Sequence, residues 1–176
     1  MQEHNVEDVI ANWKDQPKKI AKKLIDQYGQ PQEVTNERLI WHNNGPWKRS
    51  ELINEEIPHH FPEPHHDSLL QSIPYRVPPE ITSKLLRFDG SVVIERTRGE
   101  LAARCDDERA NYLALNLAHE IITGKKSTDE ARKFYAETVQ QKKHQEYMEK
   151  FLFDVPTTDQ ADPDVEVKAD SASATG

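Results

Sequence analysis

The sequence predicts an α+β domain: a small, mainly antiparallel sheet of two hairpins plus an edge strand, packed by N-terminal helices and two C-terminal helices. Three observations predict it. Apolar residues recur at helical spacing near both ends of the chain. Short alternating runs lie in adjacent pairs around Asn44-Gly45 and Arg98-Gly99. No strand–helix–strand crossover is needed to join them, so the pairing is antiparallel. The 176 residues suit one domain, and a folded body of about 150 residues buries close to 70% of its unfolded surface without staples.

At the start, Asn5 caps a short helix with Val9, Ile10 and Trp13 on its apolar edge. Pro17 fits the first turn of a second helix, in which Ile20, Ala21, Leu24, Ile25 and Tyr28 share a face and Gly29 is the stop. Lys18, Lys19, Lys22 and Lys23 are its solvated side. Arg38–His42 and Trp47–Ile53 form the first hairpin. Pro58, Pro62 and Pro64 then make residues 54–67 an extended loop. Leu69, Ile73, Tyr75 and Val77 alternate as a strand, and Pro74 puts it at an edge. Pro79 opens a helix that ends at Asp89-Gly90, and Ser91–Thr97 with Glu100–Cys105 is the second hairpin.

Asp106 or Asp107 caps a helix whose Ala110, Leu113, Ala114, Leu117 and Ile121 follow i, i+3, i+4 spacing. Ser127 with Glu130 is a capping box for the last helix. That helix turns polar at Gln140–Gln145 and recovers at Tyr147–Leu152, so its far half is expected to overhang the body or to meet another chain. The domain is assigned to residues 1–153 and an acidic, disordered tail to 154–176, where Asp154, Asp159, Asp162, Asp164, Glu166 and Asp170 face only Lys168. Removing that tail is expected to leave the fold intact.

Those acids supply most of the net charge of −8, leaving a body too near neutral for a nucleic-acid binder. The lone Cys105 excludes an internal disulfide. Without an apolar leader or a long apolar run, the chain is expected to be soluble and cytoplasmic, with no membrane partner.

Chemistry-bearing residues concentrate in Arg38–Asp67, which holds five of the eight histidines and two of the three tryptophans. Two function classes follow. The favoured one is a non-catalytic module that binds a small polar ligand or a protein partner through the Trp41–Trp47 hairpin and the Pro/His loop 58–67. Trp41, His42, Asn43, Trp47, Arg49 and Arg104 are its candidate contacts. Trp47→Ala is then expected to spare the fold and abolish capture. The alternative is a small metal-dependent enzyme, with hydrolysis the reaction considered. Here His60, His65 and Asp67 hold a divalent metal and His42 or Arg104 assists. Adjacent histidines in extended chain point opposite ways, so one of each pair serves. Both readings place the Trp turn and the histidines on one shared surface. Cys105, before a helix N-terminus, is weighed as a reactive thiol with His42 or His119 as base, against inert packing beside Leu101 and Ala103.

The stretches RLIWHNNGPWKR, FPEPHHD and FDGSVVIERTRGELAARCD resemble a group of small, uncharacterised bacterial proteins, over roughly residues 27–132. The resemblance implies a bacterial source and carries no activity, ligand or site.

Overall fold

Alternation along the strands decides which side chains go inward. The row Leu39–Leu52–Leu69–Cys105 crosses four neighbouring strands in register, and each member is at most 1% exposed. These residues belong to a six-stranded antiparallel sheet in the computed structural model, which describes residues 5–170. Its strands are β1 (Glu33–Val34), β2 (Arg38–Asn44), β3 (Trp47–His59), β4 (His65–Pro74), β5 (Val92–Glu95) and β6 (Glu100–Cys105). Their spatial order is β1-β2-β3-β4-β6-β5. The helices are α1 (Val6–Ala11), α2 (Asp15–Tyr28), α3 (Thr82–Phe88), α4 (Glu108–Ile122) and α5 (Thr128–Gln141).

All five helices pack on one face, over two apolar clusters. Ile10, Trp13 and Leu24 of the N-terminal segment meet Leu39, Trp41 and Leu52. Phe88 of α3, Leu113 and Leu117 of α4 and Tyr135 of α5 meet Trp47, Ile73 and Leu101. Each such side chain contributes about 1.5–3 kcal/mol on burial. A polar seam joins the clusters: Tyr28 Oη, Trp47 Nε1 and Gln71 Nε2 all donate to Glu108 Oε1. Gln71 also donates to Ser50 and accepts from Asn111 Nδ2. This seam fixes the first turn of α4 against the end of α2 and the start of β3. The caps at Asn5 and Ser127 form as the sequence predicts, and of the two candidates Asp106 and Asp107 it is Asp107 that caps α4.

Three elements differ from expectation. β4 lies between β3 and β6, not at an edge; Pro74 is its last residue, so only the end of the ladder lacks a donor. The expected loop 54–67 is mostly strand. β3 passes an irregularity between Leu52 and Ile57 and pairs on to His59, leaving residues 60–64 as the turn. The last helix does not overhang. It stops at Gln141, with Lys142 and His144 in left-handed conformations. The chain then folds back onto α4, where buried Asn116 donates to the carbonyls of Tyr147 and Lys150 and accepts from Leu152 N–H.

Beyond Asp154 the described residues form no helix or strand, yet the chain follows the body as far as Asp164. Arg96 pairs with Asp162 and Asp164, Arg76 binds the carbonyls of Gln160 and Ala161, and Val155 packs on the larger cluster. At Gly99 (φ 70°) a Cβ would stand 2.2 Å from the backbone of Gln160, so only glycine admits this approach. The expected tail boundary at 154 therefore falls too early; residues 171–176 lie outside the described residues. Truncation after Asp154 is expected to lower the melting temperature by about 5 °C, the shift that a loss of 1–2 kcal/mol gives a chain of this size. Calorimetry of the truncated chain measures it, and an unchanged midpoint would count against a docked segment.

Candidate metal centre

Period-two alternation carries the site. Across the β3–β4 hairpin Ile57 pairs with Asp67, Pro58 with His66 and His59 with His65. His59, His65 and Asp67 therefore share the covered face at the hairpin's end, and His60 and His66 are exposed. The expected trio named His60. The structure brings His59 there instead, because the segment is a hairpin in which the cross-strand partner of His65 is fixed by register.

One ligand-type atom from each of the three residues lies within 4.8 Å of the others. His59 Nδ1 is 3.0 Å from Asp67 Oδ2 and His65 Nε2 is 2.9 Å from Asp67 Oδ1. Neither approach has hydrogen-bond alignment: His59 Nδ1, His65 Nε2 and Asp67 Oδ1 are buried without a hydrogen-bond partner. Two donor atoms each about 2.1 Å from one ion, at tetrahedral or octahedral angles, stand roughly 3.0–3.4 Å apart. The two His–Asp separations lie near that spacing, each to a different oxygen of Asp67, and the three ligand atoms together lie within the wider 4.8 Å. The side chains of His59, His65 and Asp67 are 17%, 16% and 4% exposed. Asp67 beside it raises His65 to about 9, against the desolvation that opposes its charge.

The surroundings hold this geometry. His65 Nδ1 meets the carbonyl of Glu63 at 2.8 Å. Asp89, fully buried at the end of α3, lies 3.6 Å from His59 Nε2. Phe61 at the turn packs on Tyr135, with the Arg132 guanidinium over its ring at 3.9 Å. Arg132 also donates to the Phe88 carbonyl, and Gln16 of α2 donates to the His66 carbonyl. The hairpin end is thereby held from both sides. Sequence reasoning did not find Asp89, Arg132 or Tyr135, which arrive from distant segments; the alternation His59/His65/Asp67 about a turn at Pro62 was the legible signal.

The candidate ligand-binding set is not brought together. Trp41 and Trp47 are each 1% exposed and donate their ring N–H to Gly29 O and Glu108 Oε1; both are core, and Trp47 also borders the cleft at that end. The turn centres on Gly45-Pro46, with Gly45 at positive φ in the first central position. His42 pairs with Glu33. Arg49 and Arg104 lie on the helix-free face, where Arg49 binds Glu100 at 2.8 Å and Arg104 Nε has no partner among the described residues. Trp47 opens β3 and His59 closes it; measured along β4, whose Ser72 pairs with Arg49 and whose His65 pairs with His59, roughly 30 Å separates them at 3.3 Å per residue. No shared surface joins the two segments. An open cleft of about 660 Å³ does exist at the Trp end, lined by Asn43, Lys48, Arg98 and residues 155–160.

Cys105 is buried and its Sγ lies 3.7 Å from Tyr135 Oη. Burial pushes the thiol well above its ordinary value, and Asp67, Asp106 and Asp89 reinforce the shift, the reverse of what a nucleophile requires. His119 meets Tyr75 Oη at 2.8 Å and stacks on Phe153; it is structural.

Glu100 on the helix-free face gives a pH prediction. Burial raises its carboxyl, but Arg49 and Lys48 outweigh this and hold it below the ordinary 4.5. Its folded pKa is thus below the unfolded one, so its contribution is complete above about 4.5 and fades as pH falls through the folded value. Glu100→Gln is expected to destabilise the protein at pH 7, with the gap to the parent closing in denaturant melts below pH 4.5. A gap independent of pH would contradict this.

No family model, curated protein or solved structure matches the chain, so its chemistry is read from its own side chains. No helix among the described residues is long and apolar enough to cross a membrane.

Proposed function

We propose that this chain is a metal-binding protein whose centre is a divalent transition-metal ion held by His59, His65 and Asp67. One observation carries the reading: two imidazoles and a carboxylate with buried atoms lacking hydrogen-bond partners bring their ligand atoms within 4.8 Å of one another. Two imidazoles and a carboxylate suit zinc, iron(II) or manganese(II). Three protein ligands leave a position at which such an ion can polarise water or a carbonyl, and this supports a hydrolase as the enzymatic form of the reading. The test is elemental analysis of tag-free protein, paired with a thermal melt in added zinc. About one equivalent of metal, or a clear rise in midpoint with zinc, is expected; metal-free protein with an unmoved midpoint would remove the proposal.

A second reading, a module for a small polar ligand or protein partner, is supported by the cleft beside Asn43 and Lys48. Asn43→Asp is the variant for it, since Asn43 is exposed and lines the cleft and aspartate tolerates its positive φ of 49°. Capture of a partner indifferent to that change would count against the cleft.

A further inference from the structure

This inference rests on the metal-centre reading. The two ligand imidazoles turn different nitrogens toward Asp67: Nδ1 of His59 and Nε2 of His65. A neutral imidazole carries one proton, and a nitrogen that binds an ion must be the bare one. The other nitrogen then needs an acceptor, and in metal sites this partner fixes tautomer and ring orientation. His65 has one in the Glu63 carbonyl, 2.8 Å from Nδ1.

For His59 the far nitrogen, Nε2, faces Asp89 Oδ1 at 3.6 Å. Asp89 comes from the end of α3, outside the hairpin that supplies all three ligands. Its Oδ1 also accepts from the backbone N–H and hydroxyl of Ser91, an ordinary turn cap. The cap does not account for the rest of the group. Asp89 is 0% exposed, and its Oδ2 has no partner among the described residues. A carboxylate that far from water needs a compensating positive field. Among the described residues, His59 is the one basic side chain within 4 Å of it. An imidazole polarised by an ion at Nδ1 carries added positive charge, which supplies that field to the carboxylate; the 3.6 Å approach is longer than a hydrogen bond and is made to Oδ1, beside the unpartnered Oδ2.

We propose that Asp89 and the Glu63 carbonyl are the positioning groups of the centre, so that His59 binds the ion through Nδ1 and His65 through Nε2. Asp89 touches no ion; it acts through His59.

The test uses the full chain stripped of metal and titrated with zinc chloride by calorimetry. Asp89→Asn is expected to weaken zinc binding about 10–100-fold while the metal-free melting midpoint stays within a few degrees of the parent. Ser91→Ala, which removes a cap bond and keeps the carboxylate, is expected to hold affinity within about threefold. Zinc affinity unchanged in Asp89→Asn, or equally lost in Ser91→Ala, would reduce Asp89 to a turn cap and overturn the proposal. Should Asp89→Asn not fold, long-range ¹H–¹⁵N spectra of the zinc-loaded parent decide. Protonated Nε2 on His59 with protonated Nδ1 on His65 supports the assignment, and His59 coordinating through Nε2 overturns it. A parent with no zinc affinity removes the metal reading itself, an outcome distinct from a parent that binds zinc with Asp89 indifferent.

Discussion

His59→Ala and His65→Ala are each expected to weaken zinc binding by more than about 100-fold, whereas His60→Ala and His66→Ala are expected to leave it within about twofold. The contrast follows from register and exposure. His59 pairs with His65, His66 is exposed on the opposite face of β4, where adjacent side chains cannot turn to one point, and His60 is exposed in the turn. Losing a ligand also removes the stabilisation that saturating metal confers, about 2.7 kcal/mol at a hundredfold excess over Kd. The two inward variants should therefore lose the zinc-dependent rise in melting midpoint that the outward variants keep. Equal losses for all four residues would mean that the histidines act as an unstructured cluster.

Trp47→Ala is expected to cost about 3–5 kcal/mol, the range for removing a large buried aromatic. The indole is 1% exposed and packs on Tyr112 and Phe151, at 4.9 and 5.0 Å between ring centroids. Its Nε1 is one of the three donors that hold Glu108, so the substitution also frees a partly buried carboxylate from a partner. Trp47→Phe keeps most of the packing and should recover about half of the loss. Urea denaturation gives both values. A Trp47→Ala chain as stable as the parent would restore the binding-surface role that the sequence suggests for this residue.

The sequence made the helices and hairpins legible because their signals are local: the caps at Asn5, Asp107 and Ser127, the glycine at the first hairpin's turn (which centres one residue later than Asn44-Gly45), the spacing from Ala110 to Ile121. The site was legible in its composition and not in its pairing. Prolines at 58, 62 and 64 read as a loop, yet Pro58 sits within β3 opposite His66. That single misreading of strand as loop exchanged His60 for His59. The tryptophans misled for a related reason. Two aromatics beside an amide-rich turn look like pocket walls, and only the packing of α2 and α4 over the same face makes them core. Asp89 and Arg132 carry no local signal, since α3 and α5 bring them to the hairpin end by tertiary packing. The break at Lys142 was hidden too: a polar stretch marks an exposed helix face and a chain reversal alike.

The metal centre is tested most directly by anomalous scattering at the zinc edge from crystals of the tag-free protein grown with zinc. One strong peak is expected about 2.0–2.2 Å from His59 Nδ1, His65 Nε2 and an oxygen of Asp67. Peaks only at exposed histidines such as His42 or His66, with none between these three side chains, would contradict it.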